Sequence, residues 1–156
     1  TIPLLIEQLR LDWNGYVRKG LVWALGSSRD RQAIEPLVDA LRTDISAVRL
    51  WAASGLAQMA NAGYEAVVVA IAPLIEALRQ DSVAAVRSNC AWALGQLCRE
   101  LPSNVVYATA IDALIETFAE DSDIGVREDA RAAILKVGDA RGLQMIEEIE
   151  QDGFFL

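Results

Sequence analysis

Four aspartates, Asp12, Asp44, Asp81 and Asp121, set a register that the whole chain repeats. Ten positions before each stands an isoleucine (Ile2, Ile34, Ile71, Ile111), and seven before, a leucine (Leu5, Leu37, Leu74, Leu114). Six before are Ile6, Val38, Ile75 and Ile115; three before are Leu9, Leu41, Leu78 and Phe118. Offsets of three, four and seven fall on one stripe of an α-helix. Each aspartate is followed by a Val-Arg pair whose arginine stands five or six residues on, Val17-Arg18, Val48-Arg49, Val86-Arg87 or Val126-Arg127, where a second helix begins. Its apolar members follow the arginine at three and seven residues: Leu21 and Leu25, Ala52 and Leu56, Cys90 and Leu94, Ala130 and Ile134. Each unit is thus two antiparallel helices joined by a short turn. One such hairpin cannot bury its stripe alone, so the copies must stack.

The segments "IEPLVDALRTDISAVRLWAASGLAQMA" and "IAPLIEALRQDSVAAVRSNCAWALGQLC" resemble HEAT repeats, and the junction "LG…DRQAIEPLVDAL" is similar to the HEAT-like subtype of the phycobilisome lyase family. The resemblance rests on Pro36 and Pro73 with the Asp and Arg of every copy; Leu4 and Ala113 depart from it at the proline, Ala57 and Leu135 at a glycine. It covers essentially the whole chain. The fold expected is all-α: a right-handed α-solenoid of about four HEAT-like helical hairpins plus a C-terminal half-repeat. All 156 residues form one domain, with repeats at about 2–28, 34–60, 71–98 and 111–138 and the half-repeat at 140–150. The aspartate spacing varies from 32 (Asp12 to Asp44) to 40 (Asp81 to Asp121), and the connections "NAGYEAVVVA" and "RELPSNVVYATA" are expected to absorb the difference. Gly26, Gly95 and Gly138 are expected to stop their helices in a left-handed conformation. Ala24, Ala53, Ala93 and Ala133 should let neighbouring helices come close. Thr1 in place of a methionine, Ile2 already in helical phase, and apolar Leu4 and Leu11 suggest an N-terminus trimmed from a longer protein.

Composition narrows the function. With 53% apolar residues the chain has ample core. No apolar run approaches the roughly 18 residues of a membrane span, and no signal peptide is visible. There is no histidine, which removes imidazole acid–base chemistry, the usual triads and imidazole zinc sites. Cys90 and Cys98, eight apart on one helix, are separated by roughly 12 Å of rise, too far for a disulfide. They read as small buried apolar residues in a reducing, cytoplasmic setting. Residues 1–111 carry ten basic and ten acidic side chains; residues 112–156 carry four basic and twelve acidic, which accounts for the net charge of −8. No basic face suited to nucleic acid appears. The acidic end reads as a solvated face or as a docking surface for a basic partner.

In HEAT solenoids the second helices line the concave face. At 100° per residue, the position five after the arginine points about 150° from the core. It carries Trp23, Ser54, Trp92 and Ala132. The concave row adds Lys19, Leu50, Ser88 and Gln96, with Trp51 on the flank. Trp23, Leu50, Trp51 and Trp92 make a candidate partner-binding patch; packing against neighbouring helices is the alternative. Trp13 and Tyr16 are expected to cover the open end of the first repeat. The tail "DGFFL" is expected to fold back on the last hairpin or to serve as a short docking peptide.

The resemblance implies that Asp12, Arg18, Asp44, Arg49, Asp81, Arg87, Asp121 and Arg127 form a structural ladder between repeats. It also implies the pigment and cluster activities below, whereas the partner's character is read from the concave row, apolar in the first three repeats and acidic in the fourth. The leading expectation is a non-catalytic, cofactor-free protein-binding scaffold, with a partner that presents an apolar segment and a basic end. The second is a bilin lyase-like protein acting on a phycobiliprotein, in which Trp23, Trp51 and Trp92 stack on a linear tetrapyrrole and Arg18, Arg49 or Arg87 meets its propionates. The third is an accessory factor in iron–sulfur cluster assembly, using Cys98 and Cys90.

Overall fold

The fold is described from a computed structural model, which describes residues 1–153; Phe154, Phe155 and Leu156, and with them the expected docking of the tail, lie outside the described residues. Regular structure among the described residues is helical throughout. The helices are α1 (Ile2–Leu11), α2 (Gly15–Ser28), α3 (Ile34–Thr43), α4 (Ser46–Ala57), α5 (Tyr64–Gln80), α6 (Ala84–Cys98), α7 (Val105–Glu120), α8 (Ile124–Val137) and α9 (Ala140–Gln151), with a 3-10 turn, Arg31–Ala33, ahead of α3. No helix among them is long and apolar enough to cross a membrane.

The helices pair as α1/α2, α3/α4, α5/α6 and α7/α8, and α9 packs on both α7 and α8. Second helices stack in one layer, α2 on α4 on α6 on α8, and α3, α5, α7 and α9 stack in the other. Between the layers runs one continuous core. It is built from the residues that define the register: Leu37, Leu74 and Leu114, Leu41, Leu78 and Phe118, Val48, Val86 and Val126 are all essentially without solvent contact.

The aspartate of each copy makes the reversal between its two helices. The Asn14 N–H donates to Asp12 Oδ1 at 2.8 Å, Val83 to Asp81 at 2.9 Å and Asp123 to Asp121 at 2.9 Å, so the side chain closes the turn two residues on. In the second copy, where arginine follows aspartate by five residues rather than six, the Ile45 N–H makes this bond instead.

One expectation gains detail and one is corrected. The connections before α5 and α7 are largely helix: residues 64–70 and 105–110 extend each first helix at its N-terminus, with Asn104 capping α7 through the Val106 and Tyr107 N–H groups. The apolar run after Tyr64 continues the helical stripe, so helix is the form that buries Val67 and Ala70. As a result Pro36 lies in the first turn of α3 whereas Pro73 lies inside α5, where it leaves the carbonyl of solvent-exposed Val69 without its helical donor. The glycines also divide. Gly138 ends α8 in a left-handed conformation (φ 74°), but Gly26 and Gly95 are buried helix residues at crossings. A Cβ on Gly26 would meet Gly55 Cα at 2.6 Å, and one on Gly95 would meet Ala133 Cβ at 2.9 Å.

Candidate functional site

Two close helix approaches, Gly26 to Gly55 and Gly95 to Ala133, lie in the second-helix layer. Contacts between successive second helices are also more extensive than those between successive first helices. A stack whose one layer is narrower curves toward that layer, so the faces of α2, α4, α6 and α8 directed away from the core form the concave side.

The structure places Trp23 on this face at 54% exposure and Trp92 at 40%. Ser54, which occupies the same register position on α4, is half-buried, and Ala132 on α8 is exposed. Second helices pack at about 8–10 Å, so the two rings stand roughly 20 Å apart on either side of α4. Trp51 behaves differently. It is half-buried against the core, and Lys19 Nζ sits 5.4 Å from its ring centroid, a cation–π contact that ties α2 to α4. Leu50, Ser88 and Gln96 are half-buried beside them.

The floor between the tryptophans holds a side chain left out of the expected partner-contacting set. Asn89 Nδ2 donates to the Leu50 carbonyl at 3.1 Å and to Ser54 Oγ at 2.8 Å, linking α6 to α4. Its signal was weak, because one polar residue on a helix flank looks like ordinary surface. Toward α8 the face changes character: Glu128 and Asp129 are exposed, with Lys136 beyond them.

The arginines lie along the edge of the solenoid at the helix turns and form a regular set of contacts. Arg18 donates through Nε and Nη2 to Asp44 (2.9 and 2.8 Å), Arg49 to Asp81 (2.8 and 3.0 Å), and Arg87 to Asp121 (3.0 and 3.1 Å). Each also gives Nη1 to the carbonyl of its own copy's aspartate: Asp12, Asp44 and Asp81 in turn. Arg127 Nε donates to the Asp121 carbonyl. Burial disfavours the charge on Asp44, yet hydrogen bonds from Arg18 and the Ile45 N–H, with the fields of Arg18 and Arg49, outweigh it and hold the carboxyl below its ordinary value. With Nε and both terminal nitrogens committed, Arg18, Arg49 and Arg87 are not poised to meet a ligand's propionates.

Cys90 and Cys98 are buried in the core. Burial pushes the Cys98 thiol up to about 12 and raises that of Cys90 as well. A thiol held protonated inside a packed helix layer is not a cluster ligand in this conformation.

Paired helices stacked in two layers, with an aspartate–arginine pair joining successive hairpins, define an α-solenoid repeat protein. The HEAT-repeat family model matches residues 2–94 and 71–153, and the chain belongs to that family. No curated protein matches the sequence. Among solved structures it is similar to a designed armadillo repeat protein in complex with the peptide (KR)4, at 22% identity and a TM-score of 0.66, over 96% of this chain and 70% of that one. It is also similar to an engineered protein at 23% identity and a TM-score of 0.66, over 96% and 69%. A third is a computationally designed armadillo repeat protein for modular peptide recognition, at 20% identity and a TM-score of 0.62, over 96% and 71%. At these identities the likeness is one of fold.

Proposed function

We propose that this protein is a non-catalytic scaffold whose concave face holds an extended segment of another protein. The observation that carries the reading is the pair Trp23 and Trp92: two large rings open to solvent on one face, at a register position that is Ser or Ala in the other copies. Rings of this size are favoured anchors at interfaces. A span of roughly 20 Å suits about six residues of extended chain. The acidic side chains of α8 favour a segment whose far end is basic. A designed relative of the same fold carries a lysine–arginine peptide, which fits the same direction of reasoning.

A linear tetrapyrrole is the second reading, because the same exposed rings would stack on a pigment. It is weakened by the commitment of Arg18, Arg49 and Arg87, and a visible absorption band in the purified protein would favour it. The phycobilisome-lyase activity and the cytoplasmic location belong with these proposals, whereas a cluster role would need Cys98 to leave the core.

Selection from a displayed library of random peptides tests the scaffold reading. Peptides enriched on the wild type should pair apolar or aromatic residues with a terminal Lys or Arg. Their affinity should fall at least tenfold in the Trp23→Ala/Trp92→Ala variant, with its melting temperature within a few degrees of wild type. Equal binding to both proteins would remove the groove from the account.

A further inference from the structure

The N-terminal end of the solenoid repeats the chemistry of an internal hairpin junction with one half absent. Asp12 closes its turn through the Asn14 N–H as Asp81 and Asp121 close theirs. Its carbonyl is held by Arg18, and Gln8 Nε2 reaches Oδ2 at 3.4 Å. Asp44, Asp81 and Asp121 each receive a two-pronged arginine from the preceding hairpin, whereas among the described residues no arginine reaches the carboxylate of Asp12.

The surrounding surface is unfinished in the same sense. Val17 is 38% exposed, whereas its equivalents Val48, Val86 and Val126 are fully buried. Leu4 is 70% exposed at the position where Pro36, Pro73 and Ala113 are buried. Trp13 and Tyr16, expected to cover this end, instead stand exposed at 87% and 86%. A trough of about 350 Å³ lies here, lined by Leu4, Glu7, Gln8, Leu11, Asp12 and Trp13.

We propose that this face is an interface for one further helical hairpin of the same repeat class, whose second helix brings an arginine to Asp12 as Arg18 comes to Asp44. The occupant is specified by continuity: the junction already occurs three times along the solenoid with the same donor, acceptor and buried valine. A second copy of this chain is a poorer occupant: its C-terminal end carries α9 packed across α7 and α8, and its own N-terminal face would bring a second Asp12 carboxylate rather than an arginine to Asp12. The proposal is independent of the concave groove and stands or falls without it.

The test is a thermodynamic cycle on the full chain. A hairpin copied from residues 34–60 is placed ahead of Thr1 through a second copy of residues 29–33, and urea unfolding is followed with and without Asp12→Asn. Asparagine keeps the oxygen that closes the turn, so the substitution should hardly move the midpoint of the unextended chain. In the extended chain it should lower the folding equilibrium constant about tenfold or more, and replacing the added hairpin's arginine with alanine should give the same loss without adding to it. An equal effect of Asp12→Asn in both chains would overturn the proposal. So would an added hairpin that contributes no helix by circular dichroism while the rest melts unchanged. Dimerisation of the unextended chain, abolished by Leu11→Glu, would give the face to a second copy and likewise overturn it.

Discussion

At the scale of single residues, Asp44, Asp81 and Asp121 each have two jobs, and these make them irreplaceable in different ways. One oxygen closes the helix reversal, which asparagine could also do; both oxygens receive the arginine of the preceding hairpin, which asparagine could not. Arg49, with its side chain 18% exposed against 7% for Asp81, shows what this predicts. Arg49→Ala should destabilise the fold by about 3 kcal/mol, because it leaves a largely buried carboxylate unpaired. Arg79→Ala, which breaks a solvent-exposed pair with Glu116, should cost about 0.5 kcal/mol or less. Denaturant unfolding separates the two, and similar losses would contradict the distinction. Acid should act on the same contacts. Because the folded-state pKa of Asp44 lies below its ordinary value of 3.8, its contribution is complete above that value and is lost as pH falls through the depressed one. The acid limb of a stability profile between about pH 2 and 7 should therefore be shallower in Asp44→Asn. A profile merely offset from wild type would contradict the assignment.

At the scale of elements, the sequence register made the helix pairs legible, because four copies of one stripe leave little freedom of period. The helix starts were less legible. Tyr64 and Val105 begin first helices well before the repeat resumes, since no register residue marks those extra turns and only the amphipathic continuation does. Glycine was misread for a related reason: Gly26 and Gly95 sit near helix ends in the sequence, but what fixes them is a helix one hairpin away. Gly26→Ala would drive a methyl group into the backbone of Gly55 and should cost about 1–3 kcal/mol. Gly20→Ala, in the same helix with nothing within 4 Å, should be neutral or stabilising by about 0.5–1 kcal/mol. If both variants melt alike, the α2/α4 crossing is not as tight as the structure has it.

At the scale of the molecule, close second-helix contacts curve the stack and give it an inner face, and that face is where Trp23 and Trp92 lie. The periodicity made the outward direction of Trp23 and Trp92 readable. It set Trp51 on the flank but could not show its cover by Lys19, which depends on a contact between hairpins, nor reveal that Asn89 reaches α4. Such contacts join residues 32 to 39 apart and leave no local pattern. The central claim, that a partner segment lies across the inner face, is tested most directly by the indole N–H resonances of the four tryptophans during titration with a selected peptide. The account predicts that Trp23 and Trp92 shift together and saturably while Trp13, at the solenoid's end, stays where it was. Movement of Trp13 with Trp23 and Trp92 unmoved would place binding at the N-terminal face and contradict the claim.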